Sequence, residues 1–252
     1  MKKYLVAALA MGIAGFAGGA AYAGGSCGPC GGCSEGNEKI ASADSTMVAG
    51  GAAADNIVEG NRVGQRAPDL TLDDTRGNSH TLSQHLESTP VMIVFYNQDC
   101  PFVVEMWDRL DEFTDRYEDS LKVLAIDPGI DKTSEALAEH AEQRTFTILE
   151  DRSSQSALDY NASRTPEVFL IDTDGIIQYH GAFDNGQQGS DEDGTRQRYA
   201  EDALTAVLNG ETPEVRETRA FGCTIKWNPE TKAAWDREQQ ERAGEEAAAS
   251  GS

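Results

Sequence analysis

One stretch governs what this chain can fold into: "PVMIVFYNQDCPFVVEMWDRLDEFTDRY", residues 90–117. Its opening, "PVMIVFYN", is a continuous apolar run rich in β-branched side chains and bounded by Pro90 and Asp99. Such a run reads as a strand buried on both faces, which requires a sheet with a layer packed on each side. The period then changes. Phe102, Val103, Met106, Leu110, Phe113 and Tyr117 recur at helical spacing, and Pro101 suits a first helical turn. Cys100 stands at the handover. At a helix start the backbone N–H groups are unpaired and the dipole is positive, so both favour thiolate over thiol. A thiolate attacks disulfides and peroxides. The alternative is a buried structural cysteine at a strand end.

The rest of the chain extends this pattern. "LKVLAID" (121–127) is a second buried strand, and "DKTSEALAEHAEQR" (131–144) a helix that Thr133 or Ser134 can cap. "FTILED" (146–151) is a short extended segment and "SSQSALDYN" (153–161) a short helix. "PEVFLID" (166–172) and "GIIQYHGAF" (175–183) are strands joined by the hairpin signal "TDG". "RQRYAEDALTAVLNG" (196–210) is a helix stopped by Gly210. Upstream, Leu70 and Leu72 supply a further strand, with "DTRGN" as its turn. Early crossovers followed by a late hairpin predict an α/β domain with a central mixed sheet and helices on both faces.

Composition bears mainly on compartment and partners. The 252 residues hold 43 acidic against 21 basic side chains, a formal net charge of −22, which excludes a nucleic-acid binder on electrostatic grounds. Residues 1–23 read as an export signal: Lys2 and Lys3, an apolar Ala/Gly-rich run, then the cleavage site Ala21-Tyr22-Ala23. The mature chain is then exported, periplasmic or extracellular, with no membrane attachment after cleavage. Residues 24–60 are a Gly-, Ala- and Ser-rich leader without apolar period, 61–227 the folded domain, and 228–252 an acidic tail expected to form a solvated helix. Five cysteines, Cys27, Cys30, Cys33, Cys100 and Cys223, leave at least one unpaired among themselves.

From about Gly64 to Trp227 the chain resembles the thioredoxin-like redoxins, the superfamily that includes the alkyl hydroperoxide reductase and thiol-specific antioxidant proteins. "VGQRAPDLTLDD", "FYNQDCPFV", "SRTPEVFLIDTDGIIQYHGAFDN" and "FGCTIKW" carry the likeness, in that order. The last is similar to the Gly-Cys-x-Ile-Lys-Trp ending of a bacterial peroxiredoxin-like branch. The resemblance implies a thioredoxin-like fold and an exported thiol-dependent oxidoreductase in which Cys100 attacks a disulfide or a peroxide. It also implies that Pro166 is cis and lies beside Cys100, with Thr165 and Pro166 shaping the substrate contact. Its partners would be a thiol reductant or protein disulfide, or a peroxide, and no cofactor is called for.

The sequence also departs from the family. The second cysteine of a dithiol thioredoxin would fall at Val103. Peroxiredoxins show Pro-x-x-x-Thr-x-x-Cys, where this chain has Ile93 and Asn97; Arg164 is close to, but not clearly at, the position of their arginine. Asn97 and Gln98 are candidate hydrogen-bond donors to substrate in place of that threonine. Cys223 is either a resolving thiol or a packing residue held by Ile225 and Trp227. Cys27-Gly28-Pro29-Cys30 carries the letters of a thioredoxin active site, yet its glycines leave no strand before it and no helix after it. Cys27, Cys30 and Cys33 remain a redox site, a disulfide or a metal site. The competing reading is a non-catalytic thioredoxin-fold binding module whose leader holds metal. The four histidines, His80, His85, His140 and His180, are expected on surface or hairpin positions, and "DTDG" (172–175) as a turn rather than a calcium loop.

Overall fold

The computed structural model describes residues 62–250. The expected export signal and the leader cysteines Cys27, Cys30 and Cys33 lie outside them. In chain order the elements are β1 (Thr71–Asp74), β2 (Ser79–Thr81), α1 (Leu82–Leu86), β3 (Val91–Phe95), α2 (Pro101–Arg116), β4 (Lys122–Asp127), α3 (Ser134–Ala141) and β5 (Thr147–Glu150). There follow α4 (Gln155–Asp159), β6 (Arg164–Thr165), β7 (Glu167–Ile171), β8 (Ile177–Gly181), α5 (Tyr199–Leu208), β9 (Cys223–Thr224) and α6 (Pro229–Ser250).

The main sheet runs β2-β1-β5-β4-β3-β7-β8. β3 is parallel to β4 and β4 to β5, while β7 runs antiparallel to β3 and β8 to β7. The mixed sheet read from the element order is therefore present. Every residue of β3 is buried, and alternate side chains enter two separate cores. Met92, Val94 and Tyr96 join Val103, Met106, Leu110 and Phe113 of α2 and Ala203 and Leu204 of α5. Val91, Ile93 and Phe95 face the other way, toward Leu82 and Leu86 of α1, Tyr160 after α4, and Trp227. Each such large apolar side chain contributes about 1.5–3 kcal/mol by leaving water. α2 thus lies on the sheet with Cys100 fixed at its entrance.

Local signals set the boundaries. Thr133 caps α3 by accepting from the Ala136 N–H at 3.2 Å. Asp172 closes the β7–β8 turn by accepting from the Asp174 and Ile176 N–H groups, and Gly175 takes φ +78° there.

Two features depart from the sequence reading. The C-terminal helix is not solvated throughout. The Trp235 ring lies 5.5 Å from that of Trp227, Thr231 donates to the Ser153 carbonyl at 2.6 Å, and Gln239 donates to Asn161 at 2.8 Å. One tryptophan and two polar anchors dock it where an apolar stripe is missing. The second feature is the two-stranded ladder of β6 and β9, which pairs Arg164 with Thr224 and Thr165 with Cys223.

Candidate active site

Cys100 is the N-cap residue of α2, with extended backbone (φ −68°, ψ 119°), and is 2% exposed. The β3–α2 joint presents its sulfur to the loop that precedes β7. There the Thr165–Pro166 bond is cis, and the Thr165 carbonyl accepts from the Cys100 thiol at 2.9 Å. The ladder between β6 and β9 delivers the second thiol: Cys223 Sγ lies 2.8 Å from Cys100 Sγ. A disulfide bond of about 2.05 Å is therefore a small movement away.

Gly222 makes this approach possible. A Cβ there would stand 2.1 Å from the Thr165 carbonyl oxygen and 3.1 Å from the Pro166 ring. Its φ of +144° is also one that other residues rarely adopt. The Gly-Cys pair thus has a mechanical reason: only glycine lets the strand lie flat on the cis-proline loop and bring the next residue to Cys100.

The two thiols are shifted in opposite directions. Burial pushes the Cys100 thiol up, but hydrogen bonds with the Cys223 thiol and the Val103 and Cys223 N–H groups outweigh it and hold it below its ordinary value. Cys223 is pushed up to about 11, by burial and then by its neighbour Cys100, with Lys226 and Arg164 pulling weakly down. Of the two thiols, Cys100 is the one whose environment favours the thiolate, and Cys223 the one whose environment favours the thiol.

The loop carrying Thr165 is clamped by a residue the sequence reading passed over. Glu167 is 3% exposed on β7. Its Oε2 accepts from the Ser163 N–H at 2.9 Å and the Arg164 N–H at 3.0 Å, and its Oε1 meets His180 Nε2 at 2.7 Å. A carboxylate at the second position of the apolar run "PEVFLID" is the available signal, since a buried charge needs partners. His180 is accordingly part of the site's support.

Asn97 lies three residues before Cys100, and its backbone carbonyl accepts from the Cys100 N–H at 3.0 Å. Its amide donates to Asp131 at 3.2 Å and its oxygen accepts from the Asp99 N–H at 3.0 Å, so it braces the loop before Cys100. Ile93 is buried in β3. His140 is not a free surface group either: it hydrogen-bonds the Tyr96 hydroxyl and its ring stacks on that of Tyr96, while burial lowers its pKa. Among the described residues, no cluster of three or more His, Cys, Asp or Glu is arranged to hold a metal, and no helix is long and apolar enough to cross a membrane.

Comparison with known proteins gives a consistent set of relatives. Residues 63–180 match the AhpC/TSA family. The thiol-disulfide oxidoreductase ResA of Geobacillus kaustophilus (strain HTA426) is 32% identical over 118 residues, 46% of this chain and 67% of ResA. The thiol-disulfide oxidoreductase YkuV of Bacillus subtilis (strain 168) is 26% identical over 134 residues, 49% of this chain and 88% of YkuV. Among solved structures, a hypothetical protein from Sinorhizobium meliloti 1021 superposes with a TM-score of 0.62 at 31% identity, covering 68% of this chain and 97% of that one. An uncharacterized conserved protein from Geobacillus kaustophilus gives 0.60 at 25% identity, covering 66% and 93%.

Proposed function

This chain belongs to the AhpC/TSA family of thioredoxin-like redoxins, and from that premise we propose a thiol-dependent oxidoreductase worked by a Cys100–Cys223 couple. The observation that carries the reading is the 2.8 Å separation of the two sulfurs beside the Thr165 carbonyl. Cys100 thiolate attacks one sulfur of an external disulfide, and the other sulfur leaves as a thiolate. Cys223 loses its proton, attacks the Cys100 sulfur of the mixed disulfide, and expels the second external thiol. One disulfide is reduced to two thiols, and one is formed between Cys100 and Cys223. Cys223, rather than a residue at the Val103 position, is the resolving thiol.

Disulfide exchange is the favoured chemistry. Relatives named thiol-disulfide oxidoreductases support it. So does the engagement of the Asn97 side chain, whose amide donates to Asp131 and whose oxygen accepts from the Asp99 N–H. The second reading is a peroxidase. Its support is the near-complete burial of Cys100, which admits a small oxidant more readily than a folded partner. Peroxide would leave a sulfenic acid on Cys100, and Cys223 would condense with it, releasing water.

The deciding experiment treats reduced protein with one equivalent of an aromatic disulfide reagent or of hydrogen peroxide and maps the products by peptide mass. The expected result is a Cys100–Cys223 disulfide with two reagent thiols released. Absence of that link under both oxidants overturns the couple. A faster reaction with peroxide, with sulfenic acid trapped in a Cys223→Ala variant, moves the reading to the peroxidase. Export, proposed from Ala21-Tyr22-Ala23, is checked by sequencing the mature N-terminus; retention of Met1 in the exported fraction would sink it.

A further inference from the structure

A cleft of about 520 Å³ ends at Gly222, one residue before Cys223. This volume suits a small ligand and is too small for a protein surface. Arg164 and Arg219 line it together with Asn185, Gln188 and Tyr199, and none of its lining residues is acidic. That is unusual in a chain with twice as many acidic as basic side chains. Neither arginine forms an ion pair with a carboxylate among the described residues. A second arginine-lined cavity behaves differently. There Arg109 meets Asp184 at 2.7 Å and Arg198 meets Asp191 at 2.6 Å, so its charge is already neutralised.

Arg164 stands over the second cysteine. Its Nη1 lies 3.4 Å from the Gly222 carbonyl and 3.5 Å from Thr224 Oγ1, the two residues that flank Cys223. Lys226 also acts electrostatically on Cys223. The exposure of the two sulfurs differs in the same sense: Cys100 is buried and Cys223 is partly open.

We propose that the Cys100–Cys223 disulfide is reduced at Cys223, by a low-molecular-mass thiol whose carboxylates seat on Arg164 and Arg219. This rests on the couple described above and adds its reductant class and its direction of attack. The thiolate RS⁻ attacks Cys223 Sγ, the Cys100–Cys223 bond breaks, and Cys100 leaves as a thiolate. A second equivalent of thiolate attacks the sulfur of RS in the mixed disulfide, releasing RSSR and Cys223 thiolate, which takes up a proton. Two thiols are oxidised and one protein disulfide is reduced. The leaving group fits: the more stabilised thiolate departs faster, and neighbouring hydrogen bonds lower the pKa of Cys100 while that of Cys223 is raised.

The test starts from protein oxidised to the Cys100–Cys223 disulfide. The rate of disulfide loss is measured with 3-mercaptopropionate and with 2-mercaptoethanol, each corrected for its thiolate fraction. The ratio of the two rates should fall about tenfold in Arg164→Ala/Arg219→Ala, as expected for two cations lost within several Å of a bound anion. It should stay constant in Arg76→Ala, on the β1–β2 turn. Arg219→Ala alone, which removes no hydrogen bond to β9, should lower the ratio several-fold and guards against a loosened strand. With limiting thiol and an acid quench, the adduct should map to the Cys223 peptide. An unchanged ratio in both arginine variants overturns the anionic reductant, and an adduct on Cys100 overturns the direction of attack. Failure to form the starting disulfide at all overturns the couple itself, which is a separate result.

Discussion

The two cysteines of the site are one residue type 2.8 Å apart, yet they are built by opposite means. Cys100 owes its setting to one short stretch, in which a buried strand stops and a helix begins. Cys223 owes its setting to distant chain: a two-residue strand laid on Thr165, with Gly222 admitting the contact. The local joint sets Cys100 at a helix start, and the long-range contact brings the Cys223 thiol and N–H to its sulfur. Neither half alone gives a redox couple.

The comparison predicts unequal losses. Cys100→Ser should lower turnover at least about 10³-fold, since it removes the attacking atom. Cys223→Ala should keep the first attack and stall at a mixed disulfide on Cys100, visible by mass as one trapped adduct. Equal loss of the first step in both variants would erase the assigned difference in roles. Gly222→Ala attacks only the long-range half. Its Cβ would strike the Thr165 carbonyl, costing about 2–3 kcal/mol of strand docking and lowering the paired population roughly 30- to 150-fold. Disulfide formation after the first attack should slow accordingly, while thermal stability of the sheet changes little. Unaltered resolution kinetics would show that β9 docking is not what delivers Cys223.

A pH titration sharpens the same contrast. Cys100 is held below its ordinary value in part by the Cys223 thiol, so ultraviolet thiolate absorbance should rise at lower pH than for a free cysteine. In Cys223→Ala the midpoint should move upward, because a donor to the anion is lost. The sign is fixed by that donor; a downward move would mean that relief of burial dominates. The smallest effect belongs to Glu167→Gln. It weakens a charge-assisted acceptor for the Ser163 and Arg164 N–H groups, at about 1 kcal/mol. Calorimetry should register it, with a modest slowing of resolution rather than of first attack.

How much of this the sequence discloses follows from the same division. β3, α2 and Cys100 could be read because periodicity is a local signal, and burial on both faces of a strand needs no knowledge of its neighbours. The hairpin β7–β8 was equally plain, through Asp172 and Gly175. The β6–β9 ladder was not: Arg164–Thr165 and Cys223–Thr224 are too short to carry a period, and their pairing is decided by tertiary contact. The role of Gly222 is likewise invisible until the Thr165 carbonyl is seen against it. Glu167 offered a hint, as a charge in an apolar strand, without naming the N–H groups it holds. The docking of α6 rests on Trp235 and two polar anchors, contacts that an acidic composition does not disclose.

The β6–β9 ladder has a consequence for competition. Thr165 offers its backbone edge to a strand, and the strand that takes it belongs to the same chain, continued by the bond from the Ile225 N–H to the Ser163 carbonyl at 3.3 Å. A tethered segment acts at an effective concentration on the order of millimolar. A free peptide seeking that edge must exceed this figure or arrive while residues 222–224 are detached. For an extended peptide that paired with that edge, the molecule would carry its own rival, and the lifetime of that short strand on Thr165 would set the tempo of entry.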